Sequence, residues 1–281
     1  MDVQALLGEV AAAVGLEQVM ALKQGGQKVV LKGVLGGAPA VAKVVFLAPG
    51  PNGAVALERA HREVELLSAV DSPHVVKVLT DAVEIGDPPE VVCWAEEYLD
   101  GEDLVTHLTS PWSDDDVWCL LADLAEGLQA CHELEVVHRD LSPGNVRRTA
   151  VGRFVLMDPG LARHLAKTAL TGQFQPGTPG FRSPEHVPGG EPIPASDVYA
   201  VGILAFYALT GEFPIDPAGP DHAYNERLLR SQAPSVRSLR VDVAEALADV
   251  VDTCLQRQPA RRYLDGEELR AAVLGKRGSG Q

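Results

Sequence analysis

Three short apolar runs, at residues 19–23, 28–32 and 40–46, are separated by the glycine pairs Gly25-Gly26 and Gly36-Gly37. Glycine tolerates the positive φ angles of tight hairpin turns, so these runs are expected to be strands joined by hairpins. Residues 2–15 pattern as an amphipathic helix with Leu6, Leu7, Val10 and Val14 on one face, 49–53 reads as a loop, and 55–70 as a helix. Two more strand candidates, 75–83 and 90–98, are divided by the breaker Gly86-Asp87-Pro88-Pro89. From about Asp100 the periodicity becomes helical. Ser113, followed by Asp114, Asp115 and Asp116, is a hydroxyl cap with acids at the positive dipole end of a helix running to about Glu133. Further helices are expected near 195–210, 243–256 and 265–274, with a turn-rich stretch at 136–194. The implied class is α+β, a small sheet-rich half joined to a larger helical half.

Composition narrows the function. A formal charge of −15 argues against a nucleic-acid binder, which needs clustered cations to displace counterions. The longest apolar stretch, 198–209, is too short to span a bilayer and reads as a buried helix. Asp2 and Glu9 stand where a signal peptide would carry basic residues and an apolar run. Cys93, Cys119, Cys131 and Cys254 are scattered without a Cys-x-x-Cys pair, the pattern of free thiols in a reducing compartment. A cytoplasmic location is therefore expected, with no membrane association.

The turn-rich stretch carries the chemistry. It contains His138-Arg139-Asp140-Leu141-Ser142-Pro143-Gly144-Asn145 and, further on, Met157-Asp158-Pro159-Gly160. Phosphoryl transfer needs a carboxylate to receive the proton of an attacking hydroxyl, and an amide oxygen and second carboxylate to hold a phosphate-bridging metal. Asp140, Asn145 and Asp158 have that character and spacing. Lys43, in Val-Ala-Lys-Val at the end of the third strand, could neutralise a nucleotide's inner phosphates if a carboxylate fixes it. Glu63, on the following helix, is the best candidate for that partner, since Glu65 points elsewhere by helical spacing.

Together these motifs resemble the catalytic and metal-binding loops of eukaryotic-type serine/threonine protein kinases of bacterial kind. The resemblance extends along nearly the whole chain and implies a bilobal fold: a sheet-rich N-lobe at 1–99, a helical C-lobe at 100–275 and a frayed tail at 276–281. It makes Asp140 the catalytic base and Asn145 and Asp158 the ligands of Mg2+. Gly25 and Gly26 fall in the hairpin that covers the ATP phosphates. Backbone groups of Glu97 and Leu99 would meet adenine, and Asp103 a ribose hydroxyl. The run from Gly177 to Glu185 looks like the end of a peptide-docking activation segment, with Thr178 beside the catalytic loop. Asp197 would brace that loop through backbone N–H groups, Arg262 would pair with Glu185, and His138 would be structural. Thr168 and Thr171 are expected autophosphorylation sites, ordered through a phosphate contact with Arg139.

The chain departs from the family pattern in four places. The hairpin lacks the full Gly-x-Gly-x-x-Gly arrangement, Lys28 standing near its glycines. Pro159 replaces the usual aromatic residue after the metal-binding aspartate, and Ser142 a usual lysine. Glu96 and Arg147 fall at usually apolar positions behind and beneath the adenine, and a buried charge there must be paired, solvated or misaligned. For Arg147 the expectation is a stem laid over the base and a head group in water.

The implied activity is transfer of the γ-phosphoryl group of Mg-ATP to a protein hydroxyl. No appended sensor or membrane part is expected, so regulation would come from a protein partner, autophosphorylation or homodimerisation. Two rivals stay open: a pseudokinase that docks partners, supported by the degenerate hairpin, Pro159 and Arg147, and a small-molecule kinase, opposed by the run from Gly177 to Glu185.

Overall fold

The computed structural model describes residues 3–25, 28–158 and 180–278, without the side chains of 3–6, 23–25, 28, 59 and 63. Gly26, Pro159, Thr168, Thr171 and Thr178 lie outside the described residues, as does the Glu63 carboxyl group. The described residues divide into two compact units: one holds those up to Asp71 with Val76–Leu99, the other Ser72–Val75 and the described residues from Asp100 onward.

The first unit contains α1 (Val3–Val14), β1 (Glu17–Gly25), β2 (Lys28–Leu35), β3 (Ala38–Phe46), α2 (Pro51–Ser68), β4 (Val83–Ile85) and β5 (Val91–Glu97). The strands form one antiparallel sheet in the order β1-β2-β3-β5-β4. Gly36 and Gly37, at φ of 57° and 85°, make the two-residue turn that keeps β2 and β3 in register from Lys28↔Val45 to Leu35↔Ala38. Strand alternation then sorts the side chains. Ala40, Ala42, Val44, Val91, Cys93 and Ala95 form a core with Val10 and Val14 of α1. The opposite face carries Lys43, Trp94 and Glu96.

Two expectations in this unit are corrected. Residues 49–53 are not all loop: α2 begins at Pro51, after Gly50 at φ 84°. Proline is well placed at a helix start, where its missing N–H would have no intrahelical acceptor. Residues 75–83 are not one strand. Two isolated bridges stand there instead, Val75↔Leu156 and Val78↔Glu96, the second flanked by Leu79 N–H donating to Ala95 O at 2.8 Å. The Thr80 hydroxyl then accepts the Ala95 N–H at 2.9 Å in place of a main-chain carbonyl, interrupting the pairing.

The second unit contains β6 (Gly101–Asp103), α3 (Leu104–His107), α4 (Asp114–Glu133), β7 (Val146–Thr149), β8 (Phe154–Leu156), α5 (Pro194–Thr210), α6 (Asp221–Arg230), α7 (Val236–Leu239), α8 (Glu245–Cys254) and α9 (Gly266–Arg277). Helix α4 starts where the cap predicts, the Ser113 hydroxyl oxygen accepting from Asp116 N–H. Helix α5 is buried along nearly its whole length, as a helix apolar all round must be. Glycine lets it lie close to α8: a Cβ on Gly202 would fall 2.7 Å from Cys254 Cβ.

Helices α3, α6 and α7 and the small β6-β7-β8 sheet were not anticipated. Helix α6 buries only Tyr224 and Leu228, too narrow a stripe to register as periodicity, and the strands are three or four residues long.

Candidate active site

The catalytic-loop candidates are held from beneath by one carboxylate. Asp197, on the first turn of α5, is 2% exposed. Its Oδ2 accepts from His138 N–H at 2.7 Å and its Oδ1 from Arg139 N–H at 3.0 Å. The His132 ring supplies a third donor. Because His132 Nδ1 accepts from Gly266 N–H at 3.0 Å, its ring proton sits on Nε2, which donates to Asp197 Oδ2 at 3.0 Å. Burial alone would push the Asp197 carboxyl up. The hydrogen bond from His132, with that from His138 N–H, holds it below the usual carboxylate range. This bracing fixes a strained backbone: Arg139 has φ 69° and Asp158 φ 50°, in the left-handed region that non-glycine residues avoid. His138 Nε2 donates to Met157 O at 3.0 Å, tying the two loops together.

Within that frame Asp140 and Asn145 meet. Asn145 Nδ2 donates to Asp140 O at 2.6 Å and lies 3.3 Å from Asp140 Oδ2, while Asn145 N–H bonds Ser142 O and Asn145 O accepts Met157 N–H, each at 2.9 Å. With its nitrogen turned to Asp140, the amide presents Oδ1 the other way, as a cation ligand must. Asp158 follows Met157 directly. A magnesium ion asks for only one or two protein oxygens besides phosphates and water. The donor set of one amide and one carboxylate fits it.

The small sheet carries two more candidates. Asp103 and Arg147 are paired residues of β6 and β7. Arg147 Nη1 donates to Asp103 Oδ1 at 2.8 Å and Nη2 to Gly101 O at 2.6 Å. The expectation that its head group stands in water is therefore corrected: register places it against a carboxylate and a carbonyl. A ribose contact from Asp103 would share its carboxylate with Arg147.

In the first unit Lys43 sits within β3, not at its end. Its Nζ lies 2.7 Å from Glu96 Oε2, with Lys43 11% and Glu96 2% exposed. Trp94 Nε1 donates to Glu96 Oε1 at 2.8 Å. Glu96 is thus buried and paired, one of the alternatives open from the sequence, and its partner is what sequence reasoning missed. The signal was there: an acid inside an apolar strand needs a cation, and Val-Ala-Lys-Val supplies one. Glu97 N–H donates to Lys77 O at 2.9 Å, so an adenine contact from Glu97 must use its carbonyl.

Around the described end of the activation-segment candidate, Arg262 Nη1 and Nη2 donate to Glu185 Oε1 and Oε2, both at 2.8 Å, and Ser196 Oγ donates to Glu185 Oε1 at 2.8 Å. Burial pushes Glu185 up, but the hydrogen bond and charge of Arg262 outweigh it, leaving the carboxyl below its usual range.

A family model for the protein kinase domain matches residues 18–269. The chain belongs to the protein kinase family. This kinase domain is 34% identical to serine/threonine-protein kinase pkn2 of Myxococcus xanthus, over 77% of the chain and 27% of that protein. It is 28% identical to probable serine/threonine-protein kinase PknB of Lactococcus lactis, over 79% of the chain and 35% of the relative. The chain therefore spans about a quarter to a third of these curated relatives' length. Among solved structures, the PknI kinase domain of Mycobacterium tuberculosis superposes with a TM-score of 0.68 at 23% identity, covering 95% of this chain and 99% of that one. Rad53 bound to AMP-PNP superposes at 0.72 and 18%, covering 91% and 65%. These likenesses establish the protein kinase fold, a sheet-rich N-lobe followed by a helical C-lobe.

Proposed function

We propose that the chain transfers the γ-phosphoryl group of Mg-ATP to a serine or threonine hydroxyl of a protein. The observation that carries this reading is the Asp140–Asn145 cradle, held on a strained loop by the buried Asp197. Asp140 would take the proton of the acceptor hydroxyl. Asn145 and Asp158 would hold Mg2+, which when bound neutralises charge on the phosphates. Lys43, steadied by carboxylates among which Glu63 is the helical candidate, would contact the inner phosphates. Gly25 and Gly26 would let the hairpin backbone approach them. The carbonyl of Glu97 and a backbone group of Leu99 would meet the base, and Asp103 the ribose.

The division of labour follows the sequence: residues 1–99 would serve the nucleotide, 100–275 the chemistry and the substrate, and 276–281 neither. Thr178 would lie beside the acceptor, and autophosphorylation on Thr168 or Thr171 would regulate the enzyme by pairing with Arg139. A protein partner or a second copy of the chain would supply further control. Among the described residues no helix is long and apolar enough to cross a membrane, which supports a cytoplasmic setting.

The test is incubation with labelled ATP, magnesium and a generic substrate such as myelin basic protein. Wild type should transfer label to threonine or serine, and Asp140→Asn should lose at least about a hundredfold of the rate. Nucleotide binding without turnover, or a rate indifferent to Asp140→Asn, would refute the assignment.

A further inference from the structure

Besides any helical partner, Lys43 has a carboxylate from its own sheet set against it, that of Glu96. We propose that Glu96 is a positioning residue for Lys43, holding the ammonium group from within the β3–β5 ladder; this rests on the assignment of Lys43 as a phosphate contact.

Three observations carry the inference. The first is register. Lys43 pairs with Trp94 and Val41 with Glu96 across the ladder, so Lys43 and Glu96 are diagonal neighbours on one face, within reach of long side chains. The second is fixation of the carboxylate. Trp94, itself 1% exposed, donates its indole N–H to Oε1 at 2.8 Å, leaving Oε2 directed at Lys43 Nζ 2.7 Å away. The Glu96 backbone is further tied by its bridge to Val78. The third is depth. At 2% exposure, an apolar side chain of similar volume would fill the site without the desolvation cost that a carboxylate carries. Packing alone does not call for an acid here.

The consequence is mechanical. A carboxylate on a helix can move with that helix, whereas one on the adjacent strand is fixed by the same hydrogen bonds that fix the lysine. Lys43 is therefore aimed by the sheet, and its placement does not depend on α2 alone. Glu96 touches neither nucleotide nor metal in this role. It acts through Lys43.

The experiment compares wild type, Glu96→Gln, Glu96→Met, Lys43→Met and the Lys43→Met/Glu96→Gln double variant in phosphate transfer from Mg-ATP to myelin basic protein. Glutamine keeps the shape and the acceptor for Trp94 but removes the charge; methionine fills the space without polarity. Both should lower kcat about tenfold or more, with KM for ATP within about threefold of wild type. In the Lys43→Met background the Glu96→Gln change should cost less than about twofold, because the residue it positions is gone. Glu96→Met at wild-type kcat would mean a packing role and overturn the proposal, as would losses that multiply in the double variant. Should the Glu96 variants fail to fold, Trp94→Phe keeps an aromatic ring, though a smaller one, while removing the indole donor, and is expected to slow kcat about two- to fivefold; an unchanged rate there overturns the proposal equally. A wild type that transfers no phosphate sinks the kinase reading itself, whereas an active wild type with indifferent Glu96 variants sinks only this inference.

Discussion

Replacing Arg262 by methionine removes the centre of a buried network whose cost can be worked from its contacts. The guanidinium is fully buried and pairs bidentately with Glu185, which is 17% exposed. It also donates to Ala195 O at 2.9 Å, Arg257 O at 2.9 Å and Gln256 O at 2.6 Å, and stacks 4.6 Å from the centre of the Tyr199 ring. Methionine restores packing volume but leaves three carbonyls and a carboxylate short of donors. Losing one partner of a buried ion pair costs about 3–5 kcal/mol, and the stranded carbonyls place the expectation in the upper half of that range. Urea unfolding followed by the fluorescence of Trp112 and Trp118, both in the helical unit, measures it.

The pH dependence sharpens this prediction. In wild type the Glu185 carboxyl lies below its ordinary value of 4.5, so its stabilising contribution is present above that pH and is lost as the pH falls through the depressed value. In Arg262→Met the cation is gone and burial is opposed only by the Ser196 and backbone hydrogen bonds, so the carboxyl rises relative to wild type. The folded variant then binds a proton more tightly than folded wild type, and its deficit relative to wild type should shrink on acidification. Glu185→Gln combined with Arg262→Met should cost less than the two single changes added together. A loss under about 1 kcal/mol, or a deficit that grows toward acid pH, would refute the reasoning.

Two further outcomes follow from the same structure. Asp197→Asn offers a single acceptor oxygen to three donors and turns an NH2 toward one of them, so thermal stability should fall by about 1.5–3 kcal/mol and phosphate transfer should fall with it, read by calorimetry and labelled ATP; an active, undiminished variant would contradict the bracing role. Burial pushes the Cys93 thiol up to about 11 and those of Cys131 and Cys254 to about 12, while Cys119 is only half-buried. Iodoacetamide at pH 8 should therefore label Cys119 first and the other three only on unfolding, and a second fast adduct by mass spectrometry would count against that assignment.

Much of this protein could be read from local pattern. Glycine pairs placed the β2–β3 hairpin, Ser113 and its acids placed the start of α4, and apolar periodicity placed α1 and the buried α5. The spacing of Asp140, Asn145 and Asp158 pointed to phosphoryl transfer because that chemistry needs those oxygens close together in space, and short separations in the chain can bring them there. What the chain order could not show was the choice of partners. Glu96 and Lys43 become neighbours only once β3 and β5 pair in one register, and a slip of one residue would turn one of the two to the other face. Arg147 meets Asp103 only through the β6–β7 pairing, and Asp197 reaches the loop of His138 and Arg139 only when α5 packs beneath it. Burial makes each of those charges costly when alone, and tertiary contact decided which group would satisfy it.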